Sequence, residues 1–442
     1  MADITSGRAR RLFSVGSLTS TVGSSYLWQA LKRPFQSDER AGDDLLATHI
    51  RNAERIVAGS TELRGAFMKL VQMLSMRTDL FPAVALDRLA IVQSSVPPMP
   101  WERVRGVLVD ELGAGPEERF ASFETEAFAA ASLGQVHRAT LHDGTAVVVK
   151  IQYPGVGATV NQDLKNVRAL VKALTTLVRD VMRQDFDREE VVRELEARLR
   201  EELDYEHEID NIERFRTLFA GDRQVMIPQP YRELSSKRVL TMTRLEGYPL
   251  QDVMQPGVDE KLKRWVAEKL FRLLWRQVLE FGVLHADPHP GNYLVSHHPR
   301  IGLLDFGSVR VFEPEIRAGY LRLGRGLLAR DDAEIGAACT TLGFAKGDPA
   351  PVVAMMHVIC EPLERDAPYD PRSFDVMARG MQLTEIAVAH RVFHAPGHPV
   401  MLFRALMGLD GYLKNLGAVL NWHRIFADVV SAIPDPERTP TP

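Results

Sequence analysis

Cysteine is nearly absent from this chain of 442 residues: Cys339 and Cys360 are the only two. Neither stands at metal-ligand spacing, so a disulfide-stapled secreted scaffold and a zinc module are both excluded, and a reduced cytoplasmic compartment fits better. No stretch of about 20 residues is apolar enough to cross a bilayer, so any membrane contact is expected to be peripheral. Charge of one sign is also lacking. Lys and Arg number 54 against 58 Asp and Glu, a net charge of −4, which offers no basic stripe for nucleic acid. Nor is there an internal repeat. What remains, 45% apolar and 25% charged residues, is the composition of a soluble globular protein. The length calls for two or three packed units.

One region does have biased charge. Residues 1–36 carry Arg8, Arg10, Arg11, Lys32 and Arg33 against Asp3 alone, and residues 12–31 carry no charge. Val15, Leu18, Val22 and Tyr26 share one helical face, as an interfacial helix on a membrane surface needs. A helix packed on its own protein, a disordered arm and an Arg- and Ser-rich transit peptide are the alternatives. Residues 1–40 are therefore set apart as a basic, membrane-interfacial arm. Residues 41–118 read as a helical extension interrupted by Val96-Pro97-Pro98-Met99-Pro100, with a further amphipathic helix over 101–112. From Phe123 the pattern turns to strands. Val136–Leu141 and Thr145–Ile151 flank His142-Asp143-Gly144 and predict a hairpin. Acid-rich helical residues 187–220, a strand over 239–243 and a helix over 259–281 follow, and from Pro314 to about Val430 the pattern is helical. A small β-rich lobe at 119–247 and a helical lobe at 248–433 give an α+β, two-lobe architecture, with a disordered tail at 434–442.

The chemistry is concentrated in His285-Ala286-Asp287-Pro288-His289-Pro290-Gly291-Asn292 and in Asp305-Phe306-Gly307. Phosphoryl transfer from ATP needs a carboxylate to take the acceptor's proton, and an amide and a second carboxylate to hold Mg²⁺ (or Mn²⁺) on the phosphates. Asp287 suits the first role, and Asn292 and Asp305 suit the second. Turn chemistry could explain either segment alone, but not both at this spacing. His285 is expected to hold the catalytic loop rather than move a proton. Upstream, Ala146-Val147-Val148-Val149-Lys150 is a buried-type strand ending in a lysine, as in kinases, where such a lysine contacts the α/β-phosphates. Its carboxylate partner is expected among Glu202, Asp204 and Glu208. Where a kinase has its glycine-rich loop, this chain has Ala129-Ala130-Ala131-Ser132-Leu133-Gly134-Gln135. Alanines disfavour the close backbone approach to phosphate that glycines permit, so the nucleotide's pose is expected to differ. An alanine-rich helix N-terminus is the alternative for that run.

Together these motifs resemble the UbiB/AarF/ADCK atypical kinase-like family over roughly residues 60–330. The alanine-rich run with Ser132 and Gly134, the segment from Lys150 to Val156, and Glu202-Leu203-Asp204 are similar to that family's loop, lysine strand and E-x-D motif. Lys69-Leu70-Val71-Gln72 resembles its K-x-G-Q motif, with valine where glycine is usual. The resemblance implies a protein-kinase-like fold whose extra N-terminal helices cover the cleft between the lobes. It implies Glu208 as the partner of Lys150, ATP or ADP bound near Ala129, Ala130, Ala131, Ser132 and Gly134, and Lys69, Gln72, Glu202 and Asp204 as regulatory residues. It also implies a role in isoprenoid-quinone biosynthesis or lipid homeostasis, with quinone precursors, quinone-biosynthesis proteins and a membrane surface, such as the inner membrane, as partners. A small-molecule phosphotransferase of the aminoglycoside or choline kinase type and a nucleotide-switched pseudokinase scaffold are the competing readings.

Overall fold

The computed structural model describes residues 99–131, 133–157, 199–374, 376–390 and 399–434, with isolated helical positions between 21 and 55 and between 193 and 197. Thr21, Ser24, Ser25, Trp28 and Lys32 are helical, whereas Val15, Leu18, Val22 and Tyr26 lie outside the described residues. So do Lys69, Val71, Gln72 and Ser132, the stretch 160–183 and the tail after Pro434. The chain divides into two compact units. One is Met1–Asp210 with Pro230–Arg244, the other Asn211–Gln229 with Leu245–Pro442.

In the first unit, helix α1 (Trp101–Leu112) buries Val104, Val107, Leu108 and Leu112, an i, i+3, i+4, i+8 stripe set by helical period. That stripe forms one core with Phe120, Ala139, Leu141, Val147, Val149, Ile151 and Val239. The strands are β1 (Ser122–Phe123), β2 (Ala129–Ala131), β3 (Gly134–Thr140) and β4 (Ala146–Gln152), with a later partner at Val239–Thr243. Strands β3 and β4 form the expected hairpin, Thr140 pairing with Ala146 and Gly134 with Gln152. Its turn is held by the Asp143 carboxylate, which accepts from the Thr145 N–H at 2.8 Å. Strand alternation sends Val147, Val149 and Ile151 into the α1 core and Lys150 to the opposite face.

The alanine run settles as β2, antiparallel to β3 with Ala129 opposite Val136 and Ala131 opposite Gly134. It is neither a loop nor a helix start. Gly134 is required there for packing: a Cβ at that position would run into the carbonyl oxygen of Ile151 on β4. Beside it, Gln135 and His137 are buried at 1% and 0% exposure. Gln135 accepts from the Met99 N–H at 2.8 Å, and its amide stands 3.0 Å from His137 Nε2. His137 Nδ1 donates to the Glu124 carbonyl at 2.8 Å, which leaves Nε2 as the acceptor. The rings of Trp101 and Phe123 close over His137 at 5.2 and 5.3 Å.

The acid-rich segment is not one helix. The described positions 199–202 are helical, Leu203 turns, and helix α2 (Tyr205–Leu218) starts afresh. Asp204 causes the break, because its Oδ1 accepts from the backbone N–H groups of Glu206 and His207 at 3.1 and 3.4 Å. A carboxylate able to cap a new helix competes with continuation of the old one.

Strand β5 (Val225–Met226) belongs to the second unit, and the Val239–Thr243 strand of the first unit is β6. The second unit continues with β7 (Tyr248–Pro249), β8 (Val283–His285), β9 (Tyr293–Val295), β10 (Ile301–Leu303) and β11 (Val309–Val311). Strands β5, β10, β9 and β7 make one sheet, and β8 pairs with β11. Helix α3 (Glu260–Trp275) is capped by Asp259 and passes into a π-helical turn at Arg276–Phe281. Six further helices follow: α4 (Pro314–Ala329), α5 (Asp332–Thr341), α6 (Ala350–Glu364), α7 (Val376–His390), α8 (Pro399–Leu416) and α9 (Trp422–Ser431). Phe271 and Trp275 of α3 meet Trp422 and Phe426 of α9 at 5.0 and 4.8 Å. Among the described residues no helix is long and apolar enough to cross a membrane.

Two outcomes follow for stability. Gly134→Ala is expected to lower the urea midpoint by the equivalent of about 1–3 kcal/mol. Gly106→Ala, on an open face of α1 with nothing within 4 Å of the added carbon, should leave it unchanged or raise it. A parent-like midpoint for Gly134→Ala would refute the close approach of β3 to β4. The second outcome concerns pH. Burial pushes the His137 imidazole below its usual range. The native ring thus stays neutral where the unfolded chain takes up a proton, so stability is full above about pH 6.5 and declines as pH falls through that value. His137→Gln should flatten the decline between pH 7 and 5 by up to about 1.4 kcal/mol per pH unit. An unchanged slope would remove His137 as its source.

Candidate active site

The site residues form two clusters, one in each unit. In the first, β4 delivers Lys150 and the opening turn of α2 delivers Glu208. The ammonium donates to Glu208 Oε2 at 2.9 Å and Oε1 at 3.1 Å. The two side chains are 12% and 3% exposed. Tyr205, one helical turn before Glu208, places its ring 4.9 Å from the Lys150 nitrogen. Of the three carboxylates read from sequence, Glu208 contacts Lys150, while Asp204 caps the helix that carries it. Glu202 sits half-buried at the end of the preceding helical stretch. Ala129, Ala130, Ala131 and Gly134 belong to β2 and β3, the latter paired with β4.

The second cluster begins at β8, where Val283, Leu284 and His285 are all buried. Gln277, in the π-helical turn, accepts from the His285 backbone N–H at 2.7 Å. A widened turn of this kind re-aims a side chain that a regular helix would point elsewhere. His285 Nε2 donates to the backbone carbonyl of Asp305. Burial lowers the imidazole's pKa, while the nearby Asp287 and Asp305 charges pull the other way. The ring is therefore a neutral donor that ties the 285–292 loop to Asp305-Phe306-Gly307. Phe306 and Phe215 pack edge-on against it at 5.6 and 6.2 Å.

Around that link the loop is closely specified. The Ala286 N–H donates to Ser308 O at 2.8 Å, and the Leu304 N–H donates to Asn292 O at 3.1 Å. Asp287 Oδ2 accepts from Asn292 Nδ2 at 2.9 Å. That bond leaves the amide oxygen of Asn292 as the atom available to a cation. Asp305 Oδ1 accepts from the Gly307 N–H at 3.0 Å, fixing the turn that presents its carboxylate. On α2, Asn211 donates to the Phe306 carbonyl at 3.0 Å and Phe215 stacks edge-on against the Phe306 ring at 5.2 Å. An amide oxygen and a carboxylate are the hard donors that Mg²⁺ prefers. Among the described residues no group of three or more His, Cys, Asp or Glu could hold a metal.

Sequence reasoning missed a residue in this cluster. Arg404, on α8, donates through Nη2 to Asp287 Oδ1 at 2.7 Å. Gly408 faces Pro288 and Tyr412 donates to the Pro288 carbonyl. The spacing Arg404, Gly408, Tyr412 was the available signal, since residues four apart share a helical face. Nothing in sequence said which loop that face would meet.

The profile of the ABC1 atypical kinase-like domain matches residues 91–338. The zebrafish (Danio rerio) protein named atypical kinase COQ8B, mitochondrial, is 30% identical over 435 residues, covering 96% of this chain and 69% of its own length. The rat (Rattus norvegicus) COQ8B is 32% identical over 435 residues, covering 96% and 81%. A solved complex of Rv3197 with erythromycin, from Mycobacterium tuberculosis, superposes with a TM-score of 0.61 at 26% identity, covering 90% of this chain and all of that one. The chain has a kinase-like α+β fold and belongs to the ABC1 atypical kinase-like family, the UbiB/COQ8 group of atypical kinases.

Proposed function

We propose that this protein binds Mg-ATP and moves its γ-phosphoryl group to water or to a lipid-like acceptor, in support of isoprenoid-quinone biosynthesis. The observation that carries the reading is the pairing of Asp287 with Asn292 beside an Asp305 backbone held by His285, together with a buried Lys150–Glu208 ion pair. Lys150, oriented by Glu208, neutralises charge on the α/β-phosphates, and Ala129, Ala130, Ala131, Ser132 and Gly134 cover them. The acceptor oxygen bonds to the γ-phosphorus as the bond to the β,γ-bridging oxygen breaks, and ADP leaves with that electron pair. The acceptor's proton passes to Asp287. Mg²⁺, held by Asn292 and Asp305, supplies charge neutralisation of the phosphates when bound. Lys69, Gln72, Glu202 and Asp204 regulate access in this scheme, and the quinone connection follows the family resemblance. Residues 1–36 bring the protein to a membrane surface.

One observation favours a second reading. The similar Mycobacterium tuberculosis structure is a complex with erythromycin, a bulky small molecule. A soluble alcohol is then the acceptor, and rapid phosphorylation of one compound in a substrate screen would select this reading.

The test is ATP hydrolysis with lipid vesicles and quinone-precursor phenols, on the full chain and on a chain lacking residues 1–36. Asp287→Asn is expected to reduce turnover by about 100-fold or more while still binding nucleotide, as loss of a general base does. Asp305→Asn should also lose turnover, together with the Mg²⁺ dependence of nucleotide binding. Hydrolysis at the parent rate in both variants would end the catalytic assignment, and vesicle binding unchanged by removing 1–36 would end the membrane role of the arm.

A further inference from the structure

The kinase motifs account for one partner of the Asp287 carboxylate, Asn292, and leave the other unexplained. That partner is Arg404, whose guanidinium meets Oδ1 at 2.7 Å while Asn292 holds Oδ2 at 2.9 Å. The two side chains are 19% and 21% exposed, so this is not a solvated surface pair free to drift. The helix behind Arg404 is seated firmly. A Cβ at position 408 would collide with Pro288, so α8 lies as near the loop as its backbone permits. The Tyr412 hydroxyl fixes the next turn on the Pro288 carbonyl, and its ring meets that of Tyr293 at 5.8 Å. Three consecutive turns of one helix are thus devoted to two residues of the loop.

We propose that Arg404 is a positioning residue for phosphoryl transfer, which orients the Asp287 carboxylate toward the acceptor hydroxyl. The inference rests on the reading of Asp287 as the proton acceptor. A carboxylate held by one donor can pivot about that contact, whereas donors on both oxygens fix its plane. Each oxygen keeps a further lone pair, so the acceptor's proton can still be taken. A loose phosphoryl-transfer transition state depends mainly on placement and charge, so the orientation of the carboxylate is what the donors on both oxygens supply. Displacement of a reacting group by about 1 Å costs on the order of 100-fold in rate.

The test uses the full chain under the conditions that give turnover. Arg404→Gln is expected to lower kcat by about 10- to 100-fold, with the KM for ATP changed by no more than about 2-fold. Arg404→Lys should recover part of the loss, because a single ammonium can still reach Oδ1. In an Asp287→Asn background, Arg404→Gln should add no further loss, since its effect passes through the carboxylate. A purely structural role would instead lower activity by the same factor in both backgrounds, and that result would overturn the proposal. So would an unchanged or increased kcat. If turnover requires Asp287 but not Arg404, this inference falls alone. If Asp287→Asn turns over like the parent, or the parent transfers no phosphoryl group from ATP to water or to the lipid phenols, the proposed function falls with it.

Discussion

The hydrogen bond from the His285 imidazole to the Asp305 backbone carbonyl ties the 285–292 loop to Asp305-Phe306-Gly307, and the arrangement of the second cluster depends on it. Segments twenty residues apart are tied by a neutral ring, and much of the surrounding structure serves to keep that ring neutral and fixed. Phe215, Phe306 and Tyr293 surround it, and Gln277 pins its backbone from a π-helical turn. Burial disfavours the imidazolium, so the proton stays on the nitrogen that faces the carbonyl. A charged ring in this position would be costly to desolvate.

The Lys150–Glu208 pair shows a different balance. Taking both charges out of water costs several kcal/mol, which their attraction and two hydrogen bonds offset only in part. Such a pair is weak support for stability but strong support for geometry, because removing one partner strands the other and costs about 3–5 kcal/mol. The fold supplies that geometry through elements with independent reasons to exist. Strand alternation turns Lys150 away from the α1 core, and the Asp204 cap starts α2 where Glu208 falls in its first turn. The same helix carries Asn211 and Phe215 further along, which hold Phe306 within the second unit.

Much of this was legible in the residues. The β3–β4 hairpin, the strand at Val239–Thr243, the helix begun by Asp259 and the helical run from Pro314 follow from period and turn chemistry, which act over a few residues. The contact of Glu208 with Lys150 followed from the motifs once their family resemblance was seen. The alanine run illustrates the limit. Its composition favours helix, yet pairing with Gly134–Val136 made it a strand, because tertiary hydrogen bonding outweighs propensity over three residues. The acid-rich segment read as one helix because every residue in it tolerates helix, and only the capping bonds of Asp204 reveal the break.

By itself, then, the sequence determined the order of elements, the spacing from Asp287 to Asn292 and the positions of Lys150 and Asp305, since local periodicity and motif spacing are written along the chain. Only the tertiary structure decided that His285 donates to Asp305, that Asn292 turns its amide hydrogens to Asp287, and that Arg404, more than a hundred residues away, closes on the same carboxylate. Long-range partners are chosen by packing: Gly408 and Tyr412 admit α8 to the 285–292 loop, and no periodicity in a helix states what its face will touch.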